Sequence, residues 1–428
     1  MLGGVNLSKL LTLWTYFKTP KKIKSRNKLL KKQEKSMLKH VKKIRRNSRF
    51  FQEYWKGYSD DDWREFPILD KATMMTNLQD YLTVDLDVEY AKNLALSAEK
   101  SRDFTEKIDG YSVGFSSGTS GARGMHIVSK SEQDRWSGYM MARGLGGSIF
   151  SKHKIGLFLR ANSTTYENVG SRNIKFHFFD LMRPMDDLVE KLVATDLDIL
   201  IAPPSVLRYL ADKGTELNLR RIVSSAEVLT QVDKGVIEKH FDQIVHQFYS
   251  STEGEIAATC ELGNLHLNEE IMVIQKEWVD EDRGIFRPII SDFVRITQPI
   301  IRYRQNDLLV LGKGLCPCGD AREYITEVIG RQDDIFLLQN KSGDIEQVVP
   351  DLIRRATLQM SNKIESYFVE QISEDEINVM IQPKIEGLDM SGFTQLWESK
   401  SLKPPKLNFL EYEYQPSATK MRRIRRRF

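Results

Sequence analysis

The chain has 428 residues, 41% of them hydrophobic and 29% charged. That length exceeds one ordinary core and predicts two domains. No run approaches the roughly 20 apolar residues that span a bilayer. The patch Leu10, Leu11, Leu13, Trp14 lacks the basic start and small-residue cleavage site of a secretory leader, so a cytoplasmic protein is expected. The net charge of +4 is unevenly spread: 14 Lys/Arg face one acid, Glu34, between Lys18 and Arg46, and six more basic residues fall between Lys420 and Arg427. Three cysteines exclude a disulfide framework.

Residues 1–46 read as a basic helical arm. Ile23, Leu30, Met37 and Ile44 recur every seven residues with Val41 nearby, which predicts one apolar stripe and a solvated basic face. Such an arm packs on its own domain or meets an anionic membrane surface; a nucleic-acid partner is not expected. Residues 47 to about 100 read as helices and loops. From about 108 the pattern alternates: strands at Lys154–Leu159, Ile174–Phe179, Asp198–Ala202, Arg221–Ser225 and Ile244–Phe248, with helices at Asp186–Thr195, Val206–Lys213 and Val232–Phe241. Short apolar runs joined by helices imply an α/β fold with mostly parallel sheets. The charged run after Gly330 (331–334) reads as a hinge. Beyond it, 335–428 reads as a small α+β lid of order strand, helix, strand, strand, helix, strand.

Three segments carry candidate chemistry. Ser116, Ser117, Gly118, Thr119, Ser120 and Gly121, followed by Arg123, combine hydroxyls, glycines and free N–H groups in the manner of a polyphosphate clasp, without the Gly-Lys-Ser/Thr ending of a Walker loop; a plain flexible turn is the simpler reading of that composition. Tyr249 to Glu253 follow a predicted strand, where ligands of open α/β sheets bind. An aromatic there stacks on a purine, and a carboxylate holds magnesium between phosphates; a helix N-terminus is the plainer reading. Asp307, in Ile301 to Leu308, suits a ribose diol, or simply a turn.

Taken in order, these segments with Ser225-Ala226-Glu227 and Gly330-Arg331-Gln332-Asp333 resemble the adenylate-forming superfamily of acyl-CoA synthetases, luciferases and adenylation domains. The wording is nearest the phenylacetate–CoA ligase branch and its deazaflavin-coenzyme adenylating relatives, through His40 to Phe51 and Pro299 to Arg304. The resemblance implies an AMP-binding adenylation domain at 47–330. It implies that Ser116 to Gly121 clasp the ATP phosphates. Ser225, Ala226 and Glu227 border adenine, and Tyr249 lies on its face. Thr252 meets the α-phosphate and Glu253 holds Mg. Asp307 and Arg331 serve the ribose, Asp333 is the hinge residue, and Lys420 is the catalytic lysine. The implied reaction converts a small, perhaps aromatic, carboxylic acid to an acyl-adenylate, with transfer to a thiol of CoA or a carrier protein. Phe336 to Gly343 depart from the usual CoA-tunnel loop and leave the acceptor open. The alternatives are an adenylyltransferase that leaves AMP on a hydroxyl, and a non-catalytic membrane- or nucleic-acid-associated protein on this scaffold. No oligomeric state follows.

Cys260, His266, Cys316 and Cys318 form a Cys₃His set of the zinc-ligand type. Cys-Pro-Cys-Gly resembles a knuckle of many phenylacetate-ligase relatives, and a structural Zn would pin the loop after Thr259 to the loop after Asp307.

Overall fold

The computed structural model describes residues 7–101, 103, 106–115, 123–159, 173–412 and 422–428. The predicted phosphate loop, Ser116 to Gly121, and Lys420 lie outside these residues.

The N-terminal segment is helical, with helices Leu7–Lys18 and Arg26–Asn47. The second buries Leu29, Gln33, Met37, His40, Val41 and Ile44. The seven-residue stripe is therefore corrected at Leu30, which is exposed while Leu29 points inward. A straight helix turns every 3.6 residues, so a strict repeat of seven drifts off the buried face. Met37, Val41 and Ile44 join Phe51, Trp55, Trp63 and Phe66 in the largest apolar core.

A hairpin of β1 (Tyr111–Phe115) and β2 (Met125–Ser129) follows. Gly114 stands opposite His126, and a Cβ there would lie 2.7 Å from the His126 ring, so only glycine leaves room for it. Ser129 and Glu132 then form a reciprocal cap on helix Lys130–Gly144.

Five strands are parallel neighbours in the order β4-β3-β5-β6-β7: β3 (His153–Leu159), β4 (Ile174–Asp180), β5 (Ile199–Ala202), β6 (Arg221–Ser224) and β7 (Val245–Ser251). These are the strands that the alternating pattern predicts. Covered on both faces, they bury continuous apolar runs such as Ile155, Leu157 and Phe158. The sheet continues antiparallel from β7 through β8 (Gly254–Thr259) and β9 (Leu265–Leu267). Beyond lie β10 (Met272–Asp280), β11 (Ile285–Asp292), β12 (Ile300–Arg304), β13 (Asp307–Leu311) and β14 (Tyr324–Arg331). Strand order on this side is β10-β11-β13-β14-β9-β8-β7, with β12 beside β11, and twelve described strands share the sheet.

The C-terminal unit has its own core of Phe336, Leu338, Ile353, Tyr367, Val369, Phe393 and Trp397 among others. It comprises the pair β15 (Phe336–Gln339) and β16 (Ile345–Val348), then β17 (Ser366–Ser373), β18 (Glu376–Gln382), β19 (Lys406–Leu410) and β20 (Ile424–Arg426) in the order β19-β18-β17-β20. Helices Pro350–Gln359 and Ser391–Ser399 pack on it.

Candidate active site

A cleft of about 1320 Å³ opens between the carboxyl ends of the parallel strands and the C-terminal unit. Ala226, Glu227, Tyr249, Thr252, Glu253, Asp307, Arg331 and Asp333 all line it, as do Phe115 and Arg123, the described residues flanking the predicted phosphate loop. Arg123 makes a two-point ion pair with Glu99, Nη1 to Oε2 at 2.8 Å, and lies over the Phe115 ring.

Ser225 leaves the end of β6, where its N–H donates to Ala202 O at 3.1 Å. Ala226 has φ 70, a left-handed conformation that a residue with a Cβ rarely adopts, and such strain concentrates at binding sites. Tyr249 to Ser251 are part of β7 rather than beyond it, and Thr252 and Glu253 turn the chain into β8. The helix N-terminus considered there is thus a hairpin. Ser-Ser-Thr-Glu-Gly serves as cap or turn alike.

Pairs of strands bring the carboxylates to the aromatics. Asp307 opens β13 directly opposite Arg331 at the end of β14, with Arg331 Nε 3.6 Å from its Oδ1. The Tyr249 hydroxyl donates to Asp307 Oδ2 at 2.6 Å. Burial and the neighbouring Asp307 charge push the Tyr249 pKa well above the ordinary phenol range, so it stays a donor. Glu253 accepts from the Tyr303 hydroxyl at 3.1 Å and from Gln305 Nε2 at 3.4 Å. Asn306 Nδ2 donates to Asp333 Oδ2 at 2.6 Å, tying the start of β13 to the 331–334 segment. Arg422 Nε donates to Asp334 at 3.3 Å, which attaches the C-terminal chain to the same segment.

Sequence reading missed Lys71, Tyr303, Gln305 and Glu255. Leu69 is strapped to β12 by two backbone hydrogen bonds, its N to Arg302 O and its O from Arg304 N, and Asp70 caps the next helix through Thr73 N. The strap delivers Lys71 into the cleft near Glu253, Arg331, Arg123 and Asp333, where burial lowers its pKa. The Asp-cap before an apolar run was the available signal. Glu255 sits behind the hairpin, fully buried. It accepts from Trp136 Nε1 at 2.7 Å and from the Ser250 hydroxyl, and burial raises its pKa to about 7.

One ligand atom each from Cys260, His266, Cys316 and Cys318 lies within 4.8 Å of the others. His266 Nδ1 bonds the Arg322 carbonyl at 3.2 Å, which turns Nε2 toward the thiols, 3.4 Å from Cys318 Sγ. A backbone carbonyl orienting a histidine is the usual outer support of a metal ligand. The donor set and its convergence suit a closed tetrahedral site.

No family model matches the chain. Over 169 residues, 39% of the chain, it is 29% identical to Protein CapK of Staphylococcus aureus, and the match spans 36% of that relative's length. Among solved structures, 2-hydroxyisobutyryl-CoA ligase in the postadenylation state, in complex with R3-HIB-AMP, superposes with a TM-score of 0.70 over 94% of this chain and 90% of the ligase, at 14% identity. The chain has the adenylate-forming fold. The same ligase in the thioesterification state, with 2-HIB-AMP and CoA, gives 0.59 over 95% and 91% at 16% identity. The chain thus superposes better on the first of these two ligase structures than on the second. GH3.15 acyl acid amido synthetase gives 0.55 over 89% and 86% at 12% identity.

Proposed function

We propose that this chain is an ATP-dependent ligase of the phenylacetate–CoA ligase type. It converts a small carboxylic acid, aromatic acids among the candidates, into an acyl-adenylate and passes the acyl group to a thiol of CoA or a carrier protein. The observation that supports the reading is the meeting of Tyr249, Asp307 and Arg331 with Thr252 and Glu253 in one cleft between the two units.

In this reading Asp307 takes the ribose hydroxyls while Tyr249 and Arg331 fix its orientation. Ser225 to Glu227 and the Tyr249 ring bound the adenine, Thr252 meets the α-phosphate, and Ser116 to Gly121 clasp the β- and γ-phosphates. The substrate carboxylate attacks the α-phosphorus, and pyrophosphate leaves. Glu253 would hold magnesium, which would supply charge neutralisation for the phosphates. Lys420 supplies fixed positive charge to the same step, which a closed, water-poor site strengthens. Thiol attack on the acyl-adenylate then expels AMP. Cys260, His266, Cys316 and Cys318 would hold a structural zinc ion outside the reaction.

The test is acid-dependent ATP–pyrophosphate exchange with magnesium across a panel of aryl and short acyl acids. Exchange with at least one acid is expected. AMP retained in the final product would instead indicate the adenylyltransferase, and exchange with no acid would contradict the ligase.

A further inference from the structure

Helix Leu7–Lys18 turns several of its large apolar residues away from the protein. The side facing the protein packs Leu13 and Tyr16 on the core and is otherwise small and polar. Thr12 is buried, Ser8 donates to Asp134 at 2.7 Å, Lys130 donates to Ser8 at 2.9 Å, and the Tyr16 hydroxyl donates to Gly147 O at 3.2 Å. Its backbone comes so near helix Lys130–Gly144 that a Cβ on Gly138 would lie 2.3 Å from Thr12 O. The large apolar residues Leu7, Leu10, Trp14 and Phe17 recur at spacings of three and four on the opposite side, and all are exposed, Leu7 at 80% and Phe17 at 61%. Phe150, 70% exposed, extends the stripe, its ring centroid 6.0 Å from Phe17. A helix at an ordinary protein surface has the reverse arrangement, and a contiguous apolar patch marks a surface that meets something.

Charge identifies what it meets. The helix contains no acid. Arg135 stands over the Trp14 ring at 5.8 Å, and Lys18 ends the stripe. The following segment exposes Lys21, Lys24, Lys28, Lys31, Lys32 and Lys35, while its one acid, Glu34, is engaged by Arg64 and Trp63. Two copies of the chain joined through this face would bring two basic arms together. We infer that the exposed face of helix Leu7–Lys18, with Phe150 and the adjoining lysines, docks the protein on an anionic phospholipid surface. The apolar side chains enter the headgroup–acyl boundary and the lysines meet lipid phosphates and carboxylates. No described helix is long and apolar enough to cross a membrane, so the attachment is peripheral. It stands independently of the reaction proposed above.

The test is cosedimentation of the full chain with vesicles of phosphatidylcholine alone and of phosphatidylcholine mixed with phosphatidylserine. Binding to the anionic vesicles should be stronger by about tenfold or more, and weakened by salt. The triple substitution Leu10→Gln, Trp14→Gln, Phe17→Gln touches only outward residues. It should keep the melting temperature and lose the binding. A second readout does not depend on that variant folding: brominated acyl chains should quench the protein's fluorescence, and Trp14→Phe should remove most of the quenching. Wild-type protein that ignores anionic vesicles, or a folded triple variant that binds as well as wild type, overturns the inference. So does a wild-type dimer that the triple substitution dissociates while vesicles are ignored, which would assign the face to self-association.

Discussion

Arg423, on the C-terminal unit, sets its guanidinium on the carboxylate of Asp233, on the large domain: Nη2 lies 2.7 Å from Oδ1 and 2.9 Å from Oδ2, and Nε lies 3.1 Å from Oδ2. Both groups are buried, and Arg208 Nη1 joins them at 3.3 Å while also donating to Glu365 O at 2.9 Å. A buried pair of this kind contributes little against a well-packed apolar substitute, but removing one partner strands the other and costs about 3 to 5 kcal/mol. Arg423 also lies just beyond the segment that holds Lys420, so the pair fixes the chain at that point. Asp233→Ala is expected to free the C-terminal unit, read as faster proteolysis near 331–334 and a larger radius of gyration in solution scattering. A variant indistinguishable from wild type in both would show that the pair does not hold the units together.

Removing Lys71, which lines the cleft, or Lys420, the proposed catalytic lysine, should slow adenylation selectively. Lys420→Ala is expected to reduce acid-dependent pyrophosphate exchange by about a hundredfold or more, and Lys71→Ala by about tenfold, the scale of lost charge-stabilising groups. Melting temperatures of the two variants should stay near that of wild type. Equal exchange rates in variants and wild type would remove both residues from the site.

Glu255 makes stability pH-dependent in a defined direction. Its folded pKa of about 7 is raised from 4.5, so the folded state holds the proton more tightly. Its contribution is therefore fully present below about pH 4.5 and is lost as pH rises through about 7, up to about 3 kcal/mol. Buried His40 and His246 and half-buried His126, lowered to about 4, act oppositely and lose stability as pH falls from 6.5 toward 4. Urea unfolding of wild type and Glu255→Gln isolates the carboxyl: the variant should gain on wild type between pH 5 and 8. A constant difference across that range would contradict the assignment.

Protein purified without added metal should carry about one zinc per chain, and Cys316→Ser or Cys318→Ser should lose it. Because Lys22 donates to Cys318 O at 2.8 Å and Ala321 N donates to Ile23 O at 2.7 Å, metal loss should also loosen the segment between the first two helices. Hydrogen exchange over residues 19–25 would report it. Metal-free protein with unchanged protection there would count against the site.

The parallel half of the sheet was legible because strands buried on both faces read as uninterrupted apolar runs between helices. The antiparallel half was not. Buried Glu255, Asn268, Glu269 and Asp292 interrupt its alternation, and register shifts break β8, β11 and β13. The order of motifs named the cleft residues, but contacts such as Asp307 to Arg331 arise from strand pairing, which spacing along the chain does not encode. Lys71 entered through a strap on β12 that has no motif of its own.

The central claim is that these separated segments hold one nucleotide. Equilibrium binding of ATP and of AMP to wild type, Asp307→Ala and Glu253→Gln tests it most directly. Asp307→Ala should weaken both ligands by about tenfold or more, as expected where charge-assisted hydrogen bonds are lost. Glu253→Gln should weaken ATP with magnesium while leaving AMP nearly unaffected. Wild-type affinity for both nucleotides in both folded variants would contradict the account.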